Sequence, residues 1–141
     1  MMSSETRIVI LIFVLAVTAA VVHAQCTYAY GSYLIEGYVY ERNFNCPEEG
    51  INAIGGATIN YTLTFCCGCG SRTESVSSGP NEYWPNGYWS VDTNKSIDTV
   101  DITAQYGNSI DPGQGTIIID KNVSSLTIGP FYLDTKIPYV I

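Results

Sequence analysis

The chain has 141 residues and a net charge of −7; 46% of its residues are hydrophobic and only 13% are charged. That length holds one domain with a sizeable core and not two. An acidic chain repels phosphate backbones, which excludes nucleic acid as an expected partner, and a surface with so few charges must be built from tyrosine, asparagine, serine and threonine.

The first 24 residues read as a leader. Arg7 precedes an unbroken apolar run from Ile8 to Val22. This run is shorter than the roughly 20 residues a helix needs to cross a bilayer. Val22 and Ala24 stand at the −3 and −1 positions of a cut after Ala24, so residues 1–24 are expected to be a secretory signal peptide. The alternative is an uncleaved N-terminal anchor. Membrane contact is expected only through this leader, and the mature chain is expected to be secreted, extracellular or held at the cell surface. Cleavage removes Glu5 together with Arg7, so the remaining 117 residues still carry −7. Cys26 follows closely enough to invite a lipoprotein reading, but Gln25 stands where such a site needs a small residue.

The elements that follow are strands and turns. Residues 25–33, QCTYAYGSY, place Tyr28 and Tyr30 two apart, and residues 25–32 read as an N-terminal tail or donor strand. YLIEGYVYE (33–41) is a β-branched and aromatic run, followed by a long loop carrying Cys46, Glu48 and Glu49. In ATINYTLTF (57–65), Ile59, Tyr61, Leu63 and Phe65 alternate with Thr58, Asn60, Thr62 and Thr64, a period of two with one buried and one wet face. GYWSVD (87–92) comes next. DTVDITAQY (98–106) then alternates Val100, Ile102, Ala104 and Tyr106 with Thr99, Asp101, Thr103 and Gln105. GTIIID (115–120), SLTIGPFYL (125–133) and the alternating end KIPYVI (136–141) complete the series. Turn signals separate them at Gly55-Gly56, Ser78-Gly79-Pro80, Pro85-Asn86-Gly87, Asp111-Pro112-Gly113 and Asp120-Lys121-Asn122. No helical period follows residue 25. About seven short strands of this kind predict an all-β domain over 33–141, a single antiparallel β-sandwich of the immunoglobulin or transthyretin type.

TFCCGCGSRT (64–73) concentrates three of the five cysteines, Cys66, Cys67 and Cys69; Cys26 and Cys46 are the others. Exported thiols meet an oxidising environment and pair. A structural zinc site would show two separated Cys-x-x-Cys knuckles, and a thioredoxin-like site would place Cys-x-x-Cys beside a helix. Here Cys67 falls inside the Cys66–Cys69 spacing and no helical pattern follows. The expectation is disulfides, with no metal and no cofactor. Cys26 is expected to pair with one member of the cluster and Cys46 with another. Five cysteines cannot all pair internally, so one is left free, lipid-modified or bonded to another chain.

Catalysis is not expected. The only histidine, His23, belongs to the leader, which removes Ser-His-Asp and Cys-His chemistry from the mature chain. Glu48 and Glu49 follow Pro47 in a loop, where adjacent acids are ordinarily solvated. Asp92, Asp98 and Asp101 flank a turn but lack the alternating ligand spacing of a calcium loop. Three glycosylation sequons start at Asn60, Asn94 and Asn122; the first lies on the polar face of its strand and the others in turns. YWPNGYW (83–89) puts Tyr83, Trp84, Tyr88 and Trp89 around one turn. Either they pack the end of the core, or they form an exposed platform for sugar rings or a partner protein.

The order IEGYVYE, GATINYTL, PNGYWSVD resembles the carboxypeptidase-regulatory-like, or transthyretin-like, β-sandwich over about residues 33–106. Ile35, Gly37 and Val39 match its first element, Gly56, Ala57 and Ile59 its second, and Asn86, Gly87 and Trp89 (or Tyr88) its third. The chain departs from that pattern in its cysteine cluster and its long loop in the 40s. The resemblance implies a fold and a non-catalytic module, and it brings no active-site residues with it.

Two function classes follow. The first is a secreted structural protein that assembles with copies of itself into a surface filament or envelope layer by β-strand addition, with residues 25–32 as donor and Cys26 locking to the next subunit. The second is a monomeric extracellular module that holds carbohydrate or an envelope partner through the aromatic turn at 83–89.

Overall fold

The computed structural model describes residues 26–46 and 50–135. The expected leader over 1–24, Gln25, the acids Glu48 and Glu49, and the alternating end 136–141 lie outside the described residues.

The described chain is all-β, with two sheets facing each other across one core, consistent with the expected β-sandwich. Ten strands form it, rather than about seven. They are β1 (Tyr33–Arg42), β2 (Gly50–Ala53), β3 (Thr58–Phe65), β4 (Ser71–Ser77), β5 (Tyr88–Thr93), β6 (Ile97–Tyr106), β7 (Ser109–Asp111), β8 (Ile117–Ile118), β9 (Ser125–Thr127) and β10 (Phe131–Leu133). The additional strands are short or polar pieces whose own sequence shows little alternation; they form because a longer neighbour offers them a ladder.

In the first sheet β1 is the spine. β5 and β9 flank its first half, β2 and β10 its second. In the second sheet the order is β4-β3-β6-β7, with β8 also on β6. The pairing is antiparallel except that β9 and β10 run parallel to β1. That corrects the expectation of a purely antiparallel sandwich. The chain crosses from β6–β8 in the second sheet back to the first, and returns alongside β1 in the same direction.

The period-two pattern decides which side chains meet. Ile35 and Val39 of β1, Trp89 and Val91 of β5, and Phe131 and Leu133 of β10 face Ile59, Leu63, Val100, Ile102 and Ala104 from the other sheet. Fully burying such side chains contributes about 1.5–3 kcal/mol each. One polar side chain is built into this interior. The buried Ser78 hydroxyl donates to the Ile54 carbonyl (2.6 Å) and accepts from the Ala57 amide (3.0 Å), tying the β2–β3 turn to the end of β4.

The N-terminal segment docks on its own domain. Cys26 is bonded to Cys69 of the same chain, with a Cα–Cα separation of 5.8 Å. Ser96 N donates to Cys26 O (2.8 Å), Tyr28 N donates to Asn94 O (2.7 Å), and Thr27 bridges Lys95. Tyr28 is buried, packs edge-on against Tyr33 (5.5 Å) and donates its hydroxyl hydrogen bond to Val123 O. Cys26 therefore does not stand ready to lock to a second subunit, because the β3–β4 turn of its own chain has captured it.

Candidate functional site

The outward face of the first sheet carries an aromatic row. Along β1 the odd positions from Tyr33 to Val39 point into the core, so Leu34, Glu36, Tyr38 and Tyr40 point out. Register then supplies the neighbours: Tyr38 lies opposite Tyr88 of β5, and Tyr40 opposite Tyr132 of β10. The rings touch in sequence. Trp84 meets Tyr88 edge-on (5.7 Å), Tyr88 meets Tyr38 edge-on (5.4 Å), Tyr38 stacks with Tyr40 (6.0 Å, 13° between planes), and Tyr40 lies tilted against Tyr132 (6.4 Å). These spacings are those of favourable aromatic pairs. The row crosses three strands of the sheet.

The ends of the row are fixed by local structure. Asn81 Oδ1 accepts from both Tyr83 N and Trp84 N (2.8 Å each), a turn closed by its own side chain. Pro85-Asn86-Gly87 then reverses the chain, with Gly87 at φ +80° and Asn86 Nδ2 donating to Ala53 O (3.0 Å). At the other end, Arg42 donates to Tyr132 O (3.4 Å) and pairs with Asp134 (3.7 Å).

The sequence grouped Tyr83, Trp84, Tyr88 and Trp89 as one platform, and the structure divides them. Trp84 and Tyr88 belong to the row. Tyr83 is 84% exposed beside them. Trp89 is 0% exposed and faces the core, where its ring packs on Phe131 (6.0 Å). It therefore leaves the candidate platform, because adjacent residues of a strand point to opposite faces. Sequence reasoning missed Tyr38, Tyr40 and Tyr132. The alternation of β1 signals that Tyr38 and Tyr40 share a face, but nothing local places Tyr132 beside them.

One carboxylate borders the row. The Tyr88 hydroxyl donates to Glu36, and burial, reinforced by this bond, holds the Tyr88 phenol above its ordinary pKa. The face thus offers apolar ring surface with hydroxyls and one carboxylate at its edge. That is suited to binding a ligand with a flat apolar face and its own hydroxyls.

The other candidate residues are dispersed. Asp92 lies on the first sheet. Asp98 and Asp101 lie on the second, where Asp98 pairs with Lys121 (2.6 Å) and Asp101 accepts from Thr116 (2.6 Å). Among the described residues no three metal-ligating side chains stand together. Asn60, Asn94 and Asn122 are all exposed. Cys46 is exposed in the loop after β1, at the end of the first sheet opposite Cys26, Cys66, Cys67 and Cys69, so the expected pairing of Cys46 with that cluster is not made. No protein-family model, curated protein or solved structure matches the chain.

Proposed function

We propose that the chain is an exported, non-catalytic module that binds a neutral polysaccharide along the aromatic row of its first sheet. The observation that carries this reading is the continuity of five rings, Trp84, Tyr88, Tyr38, Tyr40 and Tyr132, across one face. Sugar rings present an apolar face to an aromatic ring and keep their hydroxyls in water, so an aromatic row with a polar rim accommodates successive residues of a polymer. Glu36 at the rim, with a net charge of −7 on the whole chain, disfavours an anionic polymer. The apolar leader supports export, the Cys26–Cys69 disulfide fits an oxidising compartment, and the exposed sequons are suited to glycosylation there. The short motifs shared with transthyretin-like sandwiches support a binding module rather than an enzyme. Affinity electrophoresis against gels containing neutral glucan, mannan or xylan, with a polyuronate as control, tests it. Retardation in at least one neutral gel and none in the polyuronate is expected; free migration in all of them contradicts the reading.

Self-assembly by strand addition is the second reading. It is favoured by β4, a seven-residue strand that ends its sheet among the described residues. Arg72 and Glu74 place charges on that strand, which opposes promiscuous pairing. Size-exclusion chromatography of the secreted chain distinguishes the two readings, since large oligomers support assembly.

A further inference from the structure

The turn from β3 to β4 holds two adjacent cysteines in an unusual backbone. Cys66 is buried and Cys67 exposed. Among the described residues Cys67 is the only non-glycine with a left-handed φ, +61°, a region that side chains other than Asn and Asp seldom enter. The turn is pinned on every side. Cys66 N donates to Ser96 O (2.9 Å), Cys69 N to Cys66 O (3.0 Å) and Phe65 N to Gly70 O (2.9 Å), and Cys69 is bonded to Cys26. Within it the Cys66 and Cys67 side chains are hydrogen-bonded to each other. Cys26 and Cys69 hold one another, and Cys46 is out of range. From Tyr33, beside the cluster, β1 runs ten residues to Arg42, about 30 Å at roughly 3.3 Å per residue. The four residues from Arg42 to Cys46 can retrace at most about 14 Å of that, whereas a disulfide requires Cα atoms about 4.4–6.8 Å apart.

We propose that Cys66 and Cys67 form a redox site that closes as a disulfide between neighbouring residues. The oxidant is of the disulfide class, a small-molecule or protein disulfide. The exposed Cys67 thiolate attacks one of its sulfurs, forming a mixed disulfide and expelling one thiol. The Cys66 thiolate then attacks the Cys67 sulfur and expels the second thiol. The pair gives up two electrons and two protons, and the oxidant takes them up as two thiols. The hydrogen bond to Cys66, and then burial, hold the Cys67 thiol above its ordinary pKa; Lys121 acts the other way and Asp98 adds to the rise. Exchange near neutral pH therefore passes through a small thiolate fraction. Consecutive Cα atoms lie about 3.8 Å apart across a trans peptide, closer than in ordinary disulfides. The closed pair is accordingly strained and reduces more readily than Cys26–Cys69, and it leaves Cys46 as the odd cysteine.

The test uses the full chain, secreted by an oxidising host, incubated with glutathione disulfide, quenched in acid, alkylated without reduction, digested and mapped by mass spectrometry. The expected result is a peptide that carries Cys66 and Cys67 unalkylated and two hydrogens lighter than its dithiol form, unchanged in a Cys46→Ser chain. In a graded dithiothreitol series these two residues become alkylated before Cys26 and Cys69. Alkylation of both after the oxidant treatment overturns the proposal. So does a cross-link from either to any other cysteine, or release of Cys26 and Cys69 first or at the same step.

Discussion

Replacing Trp89 by alanine separates the aromatic residue that builds the domain from those that cover it. Trp89 is wholly enclosed, and its ring lies against Phe131 and over Gly37. A Cβ at Gly37 would sit 2.9 Å from the indole Cζ2, so the glycine is what lets the ring lie flat on β1. An indole burying about 200 Å² at about 25 cal/mol per Å² contributes roughly 5 kcal/mol. Its Nε1 has no hydrogen-bond partner among the described residues, so truncation recovers about 1–2 kcal/mol of desolvation. The net loss is about 3–4 kcal/mol, within the usual range for Trp→Ala in a core. For a domain of this size that lowers Tm by about 12–16 °C. Thermal unfolding followed by near-ultraviolet circular dichroism, with the disulfide intact, reads the loss. Polysaccharide affinity measured well below the melt is expected to stay unchanged. A stability loss under about 1 kcal/mol, or a selective loss of binding, would refute the assignment of Trp89 to the core rather than to the platform.

Cys26→Ser opens a bridge spanning 43 residues, and chain-entropy arguments put the cost at about 3–4 kcal/mol; chemical denaturation of the variant beside the parent checks it. Gly87→Ala forces a side chain into φ +80° and brings Cβ to 2.7 Å from the Ala53 Cβ and 2.8 Å from the Val39 carbonyl, so a loss of about 1–3 kcal/mol or more is expected by the same assay. Burial is the leading cause that raises the phenol pKa values of Tyr28, Tyr33, Tyr61 and Tyr88. The fold binds these protons more tightly than the unfolded chain does, whose tyrosines titrate near pH 10. Their contribution is therefore fully present below about pH 10 and is lost as pH rises through the folded values. The urea midpoint should fall above about pH 10, and a midpoint that rises there contradicts the assignment.

The long, strictly alternating strands were legible in the sequence. The segments read at 57–65 and 98–106 are β3 and β6, with Ile59, Leu63, Val100, Ile102 and Ala104 inward as the period requires. Tyr106 breaks the pattern, exposed where β6 runs out into a turn. The 125–133 run is divided into β9 and β10 by Gly129-Pro130, since proline has no amide to donate to a ladder. β4 was illegible because SRTESVS is polar on both faces and stands at an edge; its strand character comes from seven register pairs with β3. The candidate site was half legible for a related reason. Trp84 and Tyr88 are close in sequence, whereas Tyr132 reaches Tyr40 only through a parallel pairing between strands about 90 residues apart, which no local pattern encodes.

The aromatic row is the proposed polysaccharide-binding face. Isothermal titration of a soluble neutral polysaccharide into the chain, and into the Tyr38→Ala/Tyr40→Ala double variant, tests it most directly. The two rings at the centre of the row stack on each other and stand outside the core cluster. Their removal should weaken binding by about tenfold or more, about 1.4 kcal/mol, and lower Tm by far less than Trp89→Ala does. Equal affinity for the parent and the double variant would show that the row is not the binding face.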